Sequence, residues 1–164
     1  MEIRVVKQPI QRILCPVDFS EASAAALAYA ERLTRSTGAE LVLVHAFDIP
    51  ASLTYADVQN PADPAVRQQL EELPVSFTDV KTVRVLHAGP PGEVICWLAQ
   101  HRACDLIVMG THGRTGLKHL LLGSVAEYVM RHARCPVVTV RERPADEPPL
   151  TEPLLLPPRA PRFM

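Results

Sequence analysis

Residues 110–124 read GTHGRTGLKHLLLGS, preceded by the apolar run DLIVM (105–109) and followed by the helix-like VAEYVMRHA (125–133). Four of the chain's seven glycines, at 110, 113, 116 and 123, fall in this one stretch. An apolar run, a glycine-rich loop and a helix start, in that order, describe the end of a strand in an α/β sheet. Ligands bind such sheets beyond the carboxyl ends of the strands, where the strand order reverses. Glycine lets the backbone approach a ligand closely and take up positive φ. A helix start offers unpaired N–H groups and partial positive charge, which suit phosphate. Ser124 adds a hydroxyl and Arg114 a charge, so the parts are those of a phosphate cradle. Taken singly, each glycine also fits a plain turn, with Gly110 ending a strand and Gly123 entering a helix capped by Ser124. The spacing is neither that of a P-loop, which needs a Gly-Lys pair, nor that of the dinucleotide fingerprint, which follows a first strand.

Outward from this loop the chain alternates between two periodicities. Five stretches read as strands, at 12–18, 40–48, 81–89, 105–110 and 136–142. The second and fourth are near-continuous apolar runs, as expected of strands covered on both faces. The third alternates through Val83, Val85 and His87 and reads as a half-exposed edge. Helices are expected over 20–38, from a Ser cap to Gly38, and over 62–72, 91–103 and 124–133. Their apolar faces are Ala26, Leu27, Ala30 and Leu33 in the first, then Val94, Ile95, Leu98 and Ala99, then Val125, Tyr128, Val129 and His132. Trp97 reads as packing. Such alternation predicts βαβ units and a mostly parallel sheet. From residue 144 the character changes, because seven of the sixteen prolines fall in the last 21 residues. We therefore expect a domain over 1–143 and a Pro-rich tail over 144–164.

Composition narrows the function classes. Seventeen basic residues against eighteen acidic ones leave a net charge of −1. That balance argues against a nucleic-acid partner or an anionic membrane surface. No apolar stretch approaches the ~18 residues of a membrane span, and the first residues lack a signal-peptide pattern, so a cytoplasmic protein is expected. Four cysteines, at 15, 96, 104 and 135, form no C-x-x-C pair. His101 and Cys104, like His132 and Cys135, form H-x-x-C pairs that together have zinc-ligand chemistry. Each pair sits where a helix gives way to a strand, so helix-end histidines and core cysteines explain them better, and no metal site is expected.

The motif Gly110-x-x-Gly113, nine residues, then Gly123-Ser124 resembles the ATP-binding pattern of the universal stress protein family. CPVDFSEAS (15–23), LVLVHAFD (41–48) and GSVAEYVMRHARCPVVTV (123–140) resemble its other segments, and the likeness covers roughly residues 10–142. It implies a Rossmann-like three-layer sandwich with strand order 3-2-1-4-5. It also implies a homodimer paired through the fifth strand, 136–142. Carried over by position, Pro16, Val17 and Asp18 would border the nucleoside, and Ala46 would meet adenine through its backbone. Met109 and Gly110 would line the ribose side. Gly113, Arg114, Gly123, Ser124 and Val125 would hold the phosphates. The implied ligand is ATP, with Mg2+ as its companion ion. Asp18 also fits as a cap of the first helix, while His45 and His112 read as packed or hydrogen-bonded rather than catalytic. The 49–80 region is short for the family, and Ala126 stands where some relatives carry a hydroxyl. Without a Walker lysine or a loop carboxylate, slow hydrolysis at most is expected. The resulting expectation is an ATP-binding stress-response or signalling module. The alternative is an interaction protein of the same fold that binds no nucleotide and acts through dimerisation.

Overall fold

β1 (Arg12–Pro16) points Ile13 and Cys15 to one side and Leu14 to the other, and all three are fully buried. The same alternation runs through β2 (Glu40–Phe47) and β4 (Leu106–Gly110). Leu41, Leu43 and Val108 join Ile13 and Cys15 in one core, while Val42, Val44, Ile107 and Met109 join Leu14 in a second. Successive strand residues face opposite ways, so a strand that is apolar throughout needs cover on both faces. On the first face it comes from α1 (Glu21–Thr37), through Ala26, Leu27 and Ala30, and from Leu70 of α2 (Pro64–Glu72). On the second it comes from α3 (Pro91–His101) and α4 (Ser124–His132). β3 (Thr82–Ala88) and β5 (Val137–Val140) form the two edges, and every residue of both is half-buried. The order is β3-β2-β1-β4-β5 with every pair parallel, the three-layer sandwich expected. The computed structural model describes residues 9–47, 64–111 and 122–141. The expectations placed on Gly113, Arg114, His112 and the Pro-rich tail from residue 144 lie outside the described residues.

Local chemistry sets the helix ends. Ser20 caps α1 and accepts a hydrogen bond from the N–H of Ser23 at 3.2 Å. Gly38, at φ 71°, closes it in the left-handed conformation that glycine takes without steric cost. Asp18 is not the cap; its Oδ1 accepts from the N–H and hydroxyl of Ser20, at 3.1 and 2.6 Å, and so holds the capping residue. Two further expectations are corrected. The cap of α4 is Gly123, with φ −77°, and Ser124 is the first helical residue rather than a side-chain cap. α4 buries Ala126 and Val129, whereas His132 is exposed and stacks on Tyr128 at 4.1 Å. Trp97 packs as expected, its half-exposed ring lying between His101 at 4.8 Å and His87 of β3 at 5.1 Å.

At the amino ends of the strands, polar groups tie the sheet together. The carboxylate of Asp105 accepts from the N–H groups of Gln11 and Arg12, at 2.8 and 3.0 Å. Glu40 bridges Arg12, at 3.1 Å, and Lys81. The hydrogen bond from Lys81 does most to hold the Glu40 carboxyl below its ordinary 4.5, desolvation opposes, and the Lys81 and Arg12 charges assist. A carboxyl lowered on folding adds stability above its unfolded value and loses it as pH falls through the folded value. Glu40→Gln is therefore expected to lower the urea midpoint at pH 7 and to close that gap as pH drops below about 4.5. A gap of constant size across that range would show that the ion pairs contribute nothing.

Candidate functional site

The opposite edge of the sheet is open. β1 has β2 on one side and β4 on the other, so the chain's course reverses between β1 and β4 and leaves a crevice at their carboxyl ends. A cavity of about 460 Å³ occupies it, within the range of small-molecule sites. Pro16, Val17 and Asp18 reach it from the end of β1, Ala46 from β2, and Met109 and Gly110 from β4. Gly123, Ser124 and Val125 enter it from the start of α4. Thus nine of the eleven residues singled out from the sequence share one wall, and the other two, Gly113 and Arg114, lie outside the described residues.

Each part of that wall has a local cause. The N–H of Gly123 donates to the carbonyl of Thr111 at 2.7 Å, which ties the two ends of the glycine-rich loop together. The first i to i−4 bond of α4 is that of Glu127 to Gly123, at 2.9 Å. The N–H groups of Ser124, Val125 and Ala126 therefore have no partner within the helix. All three residues line the cavity, so the positive end of α4 faces it. The second half of the cavity is apolar, walled by Val44, Ile95 and Met109, whose side chains belong to the α3–α4 core.

His45 is only 5% exposed, and its Nδ1 lies 2.7 Å from the carbonyl of Val17. A carbonyl only accepts, so Nδ1 carries the proton. The ring also rests on Phe19 at 4.8 Å. It is the hydrogen-bonded, packed histidine that its sequence context suggests, and it also lines the cavity. Gly110 serves packing as well as the site. A Cβ there would lie 2.8 Å from the carbonyl oxygen of Ala22, because β4 ends against the first turn of α1.

Sequence reasoning missed part of the wall. Pro91 and Ile95 of α3, Ser23 of α1 and Thr111 also line the cavity. Only the cluster Gly89-Pro90-Pro91-Gly92 signals one of these contributions, as a tight entry to a helix near a strand end. At Gly92 a Cβ would meet the Tyr128 ring at 2.6 Å, so this glycine lets α3 and α4 pack closely beside the cavity. The cysteines stand apart from the site. Burial and then the Glu31 charge push the Cys15 thiol up to about 12, and burial above all pushes Cys104 up to about 11. Cys96 and Cys135 are raised as well, chiefly by desolvation. Such thiols are poor nucleophiles. Among the described residues no group of three or more His, Cys, Asp or Glu is placed to hold a metal ion. His101 and His132 instead stack on aromatic rings.

The profile of the universal stress protein family matches residues 9–141. The chain belongs to the universal stress protein family. Universal stress protein MJ0531 of Methanocaldococcus jannaschii is 31% identical over 140 residues, covering 80% of this chain and 82% of its own length. Universal stress protein MJ0577 of the same organism is 28% identical over 155 residues, covering 81% of this chain and 96% of its own. The solved structure of MJ0577 superposes with a TM-score of 0.74 over 84% of this chain and all of its own, at 29% identity. Universal stress protein UspA of Lactobacillus plantarum does so with 0.67 over 82% and 99%, also at 29%.

The contact at Gly110 gives a direct check on the geometry of this universal stress protein. Gly110→Ala forces a methyl against the backbone of α1 and is expected to cost about 1–3 kcal/mol, the usual range for overpacking. Urea unfolding measures it. Wild-type stability in the variant would mean that the start of α1 yields freely.

Proposed function

We propose that this chain binds an adenine nucleotide, ATP in particular, in the cavity between the ends of β1 and β4, and acts as a stress-response or signalling module. The observation that carries the reading is the union of two unlike surfaces in one cavity. Unpartnered N–H groups of Ser124, Val125 and Ala126 open one end, and Val44, Ile95 and Met109 wall the other. A nucleotide has the same division, with an anionic end for a helix terminus and an apolar, planar end for a slot. A universal stress protein has been solved in complex with cAMP and one from Archaeoglobus fulgidus in complex with dAMP, at 24% and 21% identity to this chain. In this reading Pro16, Val17 and Asp18 border the nucleoside, and the backbone of Ala46 meets the base. Met109 and Gly110 flank the ribose. Gly113, Arg114, Gly123, Ser124 and Val125 hold the phosphates. Asp18 is the one carboxylate on the described wall, and its Oδ1 is engaged by Ser20. A magnesium ion would therefore depend on the phosphates for most of its ligands.

Fast phosphoryl transfer needs a clamped terminal phosphate and a positioned base. His45 donates its Nδ1 proton to the carbonyl of Val17, which leaves Nε2 and the Asp18 carboxylate as the described groups with general-base chemistry, and no lysine or arginine stands beside them on the described wall. In this reading the chain, which has neither a Walker lysine nor a carboxylate within 110–124, keeps its ligand rather than turning it over, with a rate below the ~1 s⁻¹ at the slow end of ordinary enzymes. Phosphate release from tag-free protein, run beside Gly123→Val, checks this; several turnovers per second in the parent alone would make the protein an enzyme.

Nucleotide binding has its own test. Gly123 has an ordinary extended backbone, φ −77°, so Gly123→Val is not excluded by conformation. It tests space at the phosphate end instead. Calorimetry on the folded variant is expected to show at least a tenfold loss of ATP affinity, about 1.4 kcal/mol. Unchanged affinity would leave the cavity without this role.

A second reading is favoured by β5, an apolar strand at the sheet edge whose Val137, Val138 and Val140 are only half-buried. Such an edge invites pairing with another copy, and in this reading a homodimer forms through 136–142. No described helix is long and apolar enough to cross a membrane, and we place the protein in the cytoplasm. Light scattering after size exclusion is expected to give a dimer that deletion of 144–164 weakens while leaving nucleotide binding nearly intact. A monomer at micromolar concentration would rule out the pairing.

A further inference from the structure

Glu31 lies midway along α1 and is only 2% exposed, on the side of the helix that covers the sheet. One carboxylate oxygen, Oε2, accepts from the N–H of Ser76 at 3.1 Å. Its other oxygen receives no hydrogen bond from any described residue, and Glu31 takes part in no ion pair among them. The two arginines that follow on α1 are engaged elsewhere. Arg32 lies over the Tyr29 ring, and Arg35 meets Asp79 and the Phe77 ring. A buried carboxylate with one donor is costly, and a cation is the partner that offsets it. The free oxygen is not sealed in the core, since no buried polar side-chain atom lacks a partner.

What it opens onto is a second cavity, of about 310 Å³, between α1 and the segment that leads out of α2. Phe19, Leu27 and Leu73 supply its apolar walls, and Ala24 and Ala28 form its outer lip along α1. Among the described residues Glu31 is the only charged one on this wall. The stretch 48–63, which links β2 to α2, contains no lysine or arginine.

From this juxtaposition we infer that the α1–α2 cavity is a second ligand site, which takes a small primary amine on an apolar stem. The ammonium group pairs with Glu31, and the stem lies against Phe19, Leu27 and Leu73. A molecule of cyclohexyl size fits within that volume. The site is separate from the nucleotide reading, although Val17 and Ser23 border both cavities.

The test is calorimetric titration of the full chain with cyclohexylammonium chloride and, in parallel, with cyclohexanol. The amine is expected to bind saturably at one per chain, and the neutral alcohol at least tenfold more weakly. Glu31→Gln is expected to weaken the amine at least tenfold while leaving the alcohol unchanged. Ala28→Phe changes an exposed helix position, so it fills the cavity's lip without entering the core, and it is expected to abolish binding of both probes. Circular dichroism confirms that each variant is folded. Should Glu31→Gln fail to fold, the amine-against-alcohol ratio and Ala28→Phe decide. No saturable amine binding, equal affinity for amine and alcohol, or binding that survives Ala28→Phe would each overturn the inference.

Discussion

Residues along β1, β2 and β4 are apolar on both faces, and a parallel sheet of this kind is stable only when helices cover both. Each helix must therefore carry the chain back to the amino edge before the next parallel strand begins. The loops that follow the strands then collect at one edge and those that precede them at the other. The two edges are put to different uses. Glu40 and Asp105 stitch the amino edge with ion pairs and backbone hydrogen bonds. At the carboxyl edge the N–H groups of Ser124, Val125 and Ala126 have no partner within α4 and face a cavity.

Strand order turns that asymmetry into a single site. β2 and β4 leave β1 in opposite directions, so their following helices lie apart and a gap opens above β1. Close packing sets the width of the gap. Gly110 brings β4 against the first turn of α1, and Gly92 brings α3 against Tyr128 of α4. The hydrogen bond between Gly123 and Thr111 then fixes where α4 begins. Small residues thus place a helix terminus beside an apolar slot, although neither described glycine of the 110–124 stretch has been shown to need positive φ.

Polar burial separates the parts that stabilise from the parts that await a partner. Asp18 holds Ser20, Ser20 caps α1, and His45 ties β2 to Val17, so these groups are satisfied within the fold. Glu31 differs, because a single backbone N–H serves a carboxylate with room for several donors. The contrast between a completed network beside the first cavity and an incomplete one in the second distinguishes their chemistry. The first suits an anion held by backbone groups, and the second a cation held by one side chain.

Periodicity alone was enough for the elements, because the buried strand runs and the 3.6-residue faces of α1 and α3 are properties of local sequence. The ends of α1 were legible for the same reason, since Ser20 and Gly38 act on their own turn. The family motif added the strand order and pointed to nine residues that do share a cavity wall. Local sequence misplaced the cap of α4, since Gly123 and Ser124 both fit a helix start and only the bond from the N–H of Glu127 to the carbonyl of Gly123 decides between them. It assigned Trp97 to packing, and the ring does pack, on His101 and on His87 of β3. Pro91, Ile95 and Ser23 were not read as site residues, because they belong to helices far apart in the chain that meet only after both faces of the sheet are covered. Glu31 was invisible for a related reason: its residue type predicts exposure, and only the tertiary fold, which brings Ser76 against it, buries it.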